Sequence, residues 1–135
     1  MTDPITELKR EMFSPKKDTA KVKQYLLRTI EELNETAVAL KAAVSLSKSI
    51  NDLKIDFQTA GRVQGFIVKL NMLSETKIQG VNVENLAKKL RALESNLKKD
   101  IFQQNSEISN YVKRILETYE KEIKTPLLNE LRRYN

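Results

Sequence analysis

The chain has 135 residues, with 24 lysines and arginines against 18 aspartates and glutamates and a formal net charge of +6. This length suits one domain, residues 1–135, built around a single core. Cysteine and histidine are both absent, which excludes disulfides, thiolate nucleophiles, Ser-His-Asp triads and the usual zinc and haem sites.

Turn and membrane signals are sparse. Only three glycines and three prolines occur, too few for a many-stranded β fold, which needs frequent turn residues. No apolar run approaches the roughly 18 residues of a membrane-spanning helix. Because no apolar segment follows a basic stretch at the N-terminus, no secretory signal is recognised. The sequence therefore predicts a cytoplasmic protein with no membrane partner.

The N-terminal segments predict two helices. Asp3 followed by Pro4 is typical of an N-cap and first helical position, and predicts a short helix over 3–13. Ser14 and Pro15 repeat this signal and predict a long helix over 15–49. Apolar residues three or four apart form a stripe along this second helix, as in an amphipathic helix: Val22, Leu26, Ile30, Leu33, Ala37, Leu40 and Val44.

The middle of the chain has two interpretations. No proline or glycine occurs between residues 16 and 60, so one helix could run on to Leu73, giving a rod of about 90 Å. Asn51 and Asp52 are poor interior helix residues and good caps. We favour a break there and predict a separate helix over 52–76.

The second half begins with the clearest turn. Gly80 can adopt a positive φ, and Asn82 can cap a helix over 83–103 with a leucine seam. The polar run 103–106 is either a connection or a polar layer in a continuous helix. We favour a connection, with a helix over 106–124 and, beyond Pro126, a short helix over 126–134.

These elements predict an all-α fold, an antiparallel helical bundle of four main helices with a short helix at each end. The alternative joins the helices into a long two-helix coiled-coil hairpin with Gly80 at its tip. Such a hairpin exposes most of its apolar surface and would have to oligomerise.

Two basic clusters are candidate contacts for anions or nucleic acid. Lys16 and Lys17 fall in the predicted first turn of a helix, where positive charge opposes the helix dipole unless an anion approaches. A solvated lysine-rich surface is the plainer interpretation. The candidate residues are Lys16, Lys17, Lys21, Lys23 and Arg28 in the first cluster and Lys88, Arg91 and Lys98 in the second.

Small residues mark a candidate helix contact. Gly61 and Gly65 lie one turn apart within a helical pattern, beside Ala60, and each glycine costs roughly 1 kcal/mol in a helix relative to alanine. Close approach of another helix, within the fold or from a second subunit, would explain them. A kink or a break is the alternative.

Catalytic chemistry finds little support. The best acidic pair, Glu31 and Glu35, lies on the outside of an amphipathic helix and is interpreted as solvated. We therefore expect no enzyme activity, no catalytic residue, no metal and no cofactor. The first hypothesis is a non-catalytic helical interaction or assembly protein with a protein partner or a homo-oligomer. The alternative is a nucleic-acid-associated protein that binds phosphates through the basic helix faces.

Overall fold

A computed structural model describes residues 3–46, 57–98 and 105–134, and the side chains of all of these except 43–46, 57–60, 97–98 and 105–107. No strand occurs in these ranges, which confirms the all-α fold class, and no helix in them is long and apolar enough to cross a membrane. The elements are α1 (Pro4–Met12), α2 (Thr19–Leu46), α3 (Phe57–Ser74), α4 (Glu84–Lys98), α5 (Asn105–Tyr119), a π-helical turn (Glu120–Lys124) and α6 (Thr125–Arg132).

The first helix forms as its sequence predicts. The Asp3 carboxylate accepts a hydrogen bond of 2.8 Å from the Ile5 amide, and Pro4 occupies the first turn. The helix ends at Phe13, and Ile5 and Leu8 face the core.

The second helix begins later than predicted. Asp18, not Ser14, is the cap, because its Oδ1 accepts from the amides of Ala20 at 3.1 Å and Lys21 at 3.3 Å. The Ser14 hydroxyl instead donates to the Lys16 carbonyl at 3.2 Å, in the turn that precedes α2. The predicted start at residue 15 is therefore wrong, and residues 13–18 form a turn before α2.

Contacts between α2 and α3 exclude the two-helix hairpin. The Lys69 ammonium donates to the Thr36 hydroxyl at 3.0 Å and pairs with the Glu32 carboxylate at 3.1 Å. In one continuous helix, residues 33 positions apart would lie roughly 50 Å from each other. Residues 19–74 therefore form two helices packed side by side. The predicted break at Asn51 and Asp52 lies outside the described residues.

The helices surround one hydrophobic core. Helix α2 packs against α3 and α5, α4 packs against the same two helices, and α1 covers α2 and α3. The predicted stripe of α2 is buried from Val22 to Leu40, and the leucine seam of α4 is buried at Leu86, Leu90 and Leu93. Among the four helices α2 to α5, α2 and α4 are consequently the diagonal pair, at opposite corners of the arrangement.

The turn between α3 and α4 contains the predicted residues. Gly80 has a φ of 84°, and the Asn82 side chain accepts from the Glu84 amide at 3.1 Å. Lys77 also has a positive φ, of 57°, which the sequence did not indicate.

The predicted helix boundary at Thr125 and Pro126 is wrong, because the helix continues through it. Pro126 has no amide proton to donate to the Glu122 carbonyl four residues earlier. The backbone widens into a π turn, where the Thr125 amide bonds to the Glu120 carbonyl. The freed Glu122 carbonyl accepts from the Asn82 amide at 3.2 Å, which ties the α3–α4 turn to the proline.

The cap of α2 can be tested by substitution. We expect Asp18→Ala to lower the free energy of unfolding by about 1 kcal/mol, because two amides of the first turn lose their acceptor. Urea unfolding followed by circular dichroism measures this change. Asp18→Asn keeps a capping oxygen, so its free energy of unfolding should decrease much less. Equal decreases for the two variants would contradict the assignment of Asp18 as the cap of α2.

Candidate interaction surfaces

The first basic cluster is exposed, but its residues do not share one face. Lys16 and Lys17 lie in the turn before α2 and not in its first helical turn, so the predicted conflict with the helix dipole is wrong. Lys21 and Arg28, seven residues apart, share one side of α2, whereas Lys23 lies on another side. All five side chains are exposed, and none has an ion-pair partner within the described ranges.

The neighbouring cations of α1 are already paired. Lys9 Nζ lies 2.7 Å from the Glu75 carboxylate, and this hydrogen bond and charge hold the pKa of Glu75 below its usual range. Arg10 pairs with Glu7 at 3.1 Å. These two cations are therefore weaker anion contacts than the five unpaired residues that follow them.

The second basic cluster lies on a different helix from the first. Lys88 and Arg91 are both exposed on α4, and Lys88 pairs with Glu84 at 3.5 Å in a solvated contact of little energetic value. The side chain of Lys98 lies outside the described residues. Because α2 and α4 occupy opposite corners, the structure does not bring the two clusters together on one surface. Nucleic-acid binding stays a prediction, and either cluster would have to act alone.

The paired glycines do not serve close packing within the chain. A Cβ atom built on Gly61 or Gly65 would meet no heavy atom within 4 Å, so the version of the prediction in which another helix of the same chain approaches them is wrong. They lie within one continuous helix, which excludes a helix break at either glycine. The side chain of Ala60 is not among those described. A contact with a second subunit remains a prediction.

The outer face of α3 is uncharged, a feature that appears only when burial is known. Its members are Gly61, Gln64, Gly65, Val68 and Asn71, and the Val68 side chain is 56% exposed. The charged residues of α3 point elsewhere: Lys69 faces Glu32 and Thr36 of α2, and Arg62 is half-buried. We call these five residues the α3 outer face.

Sequence reasoning also missed an apolar groove between α2 and α5. Its larger part, about 440 Å³, is lined by Val112 and Leu116 of α5 and by Lys41 of α2. An adjoining part of about 340 Å³ is lined by Val38, 65% exposed, and by Tyr119. The spacing of apolar residues in the sequence is the same whether two helices pack tightly or leave a groove between them. The sequence pattern therefore could not predict this groove.

Tyr119 forms the floor of this groove and joins three helices. Its hydroxyl donates a short hydrogen bond to the Asn34 side chain of α2, and its ring meets the Phe66 ring edge-on at 5.8 Å. Burial, with a smaller contribution from the charge of Glu120, raises the pKa of Tyr119 above its usual value. The raised pKa keeps the hydroxyl protonated, so that it can donate its hydrogen bond to Asn34.

Metal chemistry gains no support from the side-chain arrangement. Within the described ranges, no three acidic side chains converge as a metal site would require. Glu31 and Glu35 are both exposed on α2, which agrees with the solvated interpretation. Their neighbour Glu32 is the one that turns towards α3, where it meets Lys69.

The tyrosine contact predicts a pH dependence. The pKa of Tyr119 is higher in the folded state than in the unfolded state. The contact of the neutral Tyr119 hydroxyl therefore stabilises the fold fully below the unfolded pKa of about 10, and this stabilisation is lost as pH rises above that value. We expect Tyr119→Phe to lower the free energy of unfolding by about 1 kcal/mol at neutral pH. The same variant should show a smaller decrease in the free energy of unfolding at alkaline pH than the unmodified chain does.

Tyr25→Phe is the matched control, because the Tyr25 hydroxyl has no hydrogen-bond partner in the part of the chain that is described. Urea unfolding from pH 8 to 11 provides the measurement. Identical pH profiles for the two variants would contradict the role given to Tyr119.

Comparison with known proteins identifies none of these surfaces. Neither a protein family, nor a curated protein, nor a solved structure matches this chain.

Proposed function

We propose that this chain is a non-catalytic helical assembly protein whose α3 outer face binds a second copy of the same chain. The proposal is carried by one observation: the α3 outer face holds no charged side chain in a protein of which 31% of residues are charged. Interface cores are depleted of charge, because each buried charge must lose its water. An exposed face without charge is therefore suited to burial.

The glycines give a second, energetic reason. Each costs roughly 1 kcal/mol in the middle of a helix compared with alanine, and the open space beside both shows that no packing within the chain requires them. A helix without Cβ atoms on one face lets another backbone approach closely. Gly61, Gly65 and Val68 follow one another at four and three residues, so they line one contact strip along α3.

The net charge favours this face for contact between identical chains. Two copies each carry a formal charge of +6 and repel one another wherever their cations meet. At the α3 outer face this repulsion is least. A two-fold axis near Gly65 would place the same strip on both partners, which is the usual geometry of a homodimer.

A pair of valine substitutions tests the surface. Val68→Glu should abolish or strongly weaken self-association, because the interface would have to bury two carboxylates. Val38→Glu, which adds the same charge at a similarly exposed valine of α2, should associate as the unmodified chain does. Sedimentation equilibrium over a range of protein concentrations measures both. A strict monomer for the unmodified chain, or equal effects of the two variants, would overturn the proposal.

Gly65→Ala separates assembly from folding. In the single chain the new methyl group enters open space and improves helix propensity, so the monomer should gain about 1 kcal/mol in free energy of unfolding. In the dimer the same group wedges the helices apart and should raise the dissociation constant about fivefold or more. A variant that is both more stable and equally associated would show that the contact lies elsewhere.

A further inference from the structure

We infer that the end of the molecule around Phe13 docks on an anionic lipid bilayer. The surface consists of Phe13, Lys16, Lys17 and Lys21 together with Arg132 and Arg133 of the C-terminus, and we call it the basic end. This inference is independent of the assembly proposed above, because it uses no residue of α3.

An ordered turn presents Phe13 to solvent. The Phe13 amide donates to the Lys9 carbonyl at 3.2 Å, and the Ser14 amide donates to the Glu11 carbonyl at 3.3 Å, which ends α1. The Phe13 side chain is nevertheless 58% exposed, whereas Phe66, the other phenylalanine whose side chain is described, is buried. A large apolar side chain held in water by a fixed backbone is available for burial against another surface.

The C-terminus brings further cations to this end. The Tyr134 hydroxyl lies 3.9 Å from Met12 Sδ and also bonds to the Glu130 carboxylate at 3.3 Å. These contacts bring the C-terminal end of α6, which carries Arg132 and Arg133, to Met12 at the end of α1. Both arginines are exposed, as are Lys16, Lys17 and Lys21.

Two acidic groups of this region already accept hydrogen bonds. The Asp18 carboxylate caps α2, and the buried Glu130 carboxylate accepts from Arg133 at 3.2 Å and from Tyr134. Lys16, Lys17, Lys21 and Arg132 have no ion-pair partner among the described residues. The basic end therefore combines four cations that have no ion-pair partner among the described residues with one exposed aromatic ring.

This combination fits a bilayer better than a nucleic acid. The phosphates of an anionic membrane surface attract lysine and arginine, while the boundary below them accepts an apolar ring. Single-stranded nucleic acid is bound by several stacking rings along a groove, whereas Phe13 is the one aromatic residue of the turn 13–18. The expectation of no membrane partner came from the lack of a spanning segment, which does not bear on surface docking.

A tryptophan probe provides the test, because the chain contains no tryptophan of its own. Phe13→Trp is titrated at low salt with vesicles of equal parts phosphatidylcholine and phosphatidylserine. We expect the emission of the introduced ring to shift to the blue, with no shift on pure phosphatidylcholine and reversal by added salt. Val38→Trp, exposed on α2, is the matched probe and should not respond.

Charge removal completes the experiment. Adding Lys16→Gln and Lys17→Gln to the probe variant should weaken binding about fivefold for each lysine removed, whereas Lys88→Gln with Arg91→Gln on α4 should leave it unchanged. The inference is overturned if emission does not change, if both lipid mixtures act alike, or if the two charge variants lose affinity equally. A shift produced by duplex DNA or RNA but not by vesicles would assign the surface to nucleic acid instead.

Discussion

The contact of Tyr119 with Asn34 and Phe66 fixes the relative positions of α2, α3 and α5. Its hydroxyl requires an acceptor at the place where Asn34 lies, and its ring requires the edge of Phe66. Tyr119 is also the last residue before the π turn, so this contact lies directly before the widening that Pro126 causes. Within the π turn the Glu122 carbonyl accepts from the Asn82 amide, and beyond it α6 packs against α2.

Much of the fold could be predicted from the sequence, because apolar spacing and capping act locally. The buried stripe from Val22 to Leu40, the cap at Asp3 and the turn at Gly80 all rest on neighbouring residues. The predicted helix boundaries are wrong where a residue distant in sequence determines the local backbone structure. Pro126 usually marks a helix boundary, but here the Asn82 amide supplies the partner that the Glu122 carbonyl lacks. A donor 40 residues earlier leaves no trace in the local pattern.

The candidate surfaces were harder to predict, since exposure depends on packing. The sequence identifies the glycines and the basic clusters, but it cannot show that Gly65 faces open space or that α2 and α4 are at opposite corners. Likewise Phe13, one apolar residue at the end of an amphipathic helix, resembles a core residue in the sequence. The structure shows that the end of α1 and the turn 13–18 leave it exposed.

The contact between Tyr134 and Met12 has a consequence for folding. It joins residues 122 positions apart, so it closes a loop of nearly the whole chain, and the entropy of that closure favours late formation. During synthesis, α1 and the turn behind it leave the ribosome long before residue 134 exists. A nascent chain therefore carries Met12 and Phe13 without their C-terminal neighbours. Any affinity for an anionic bilayer that depends on Arg132 and Arg133 arises only after these residues have been translated.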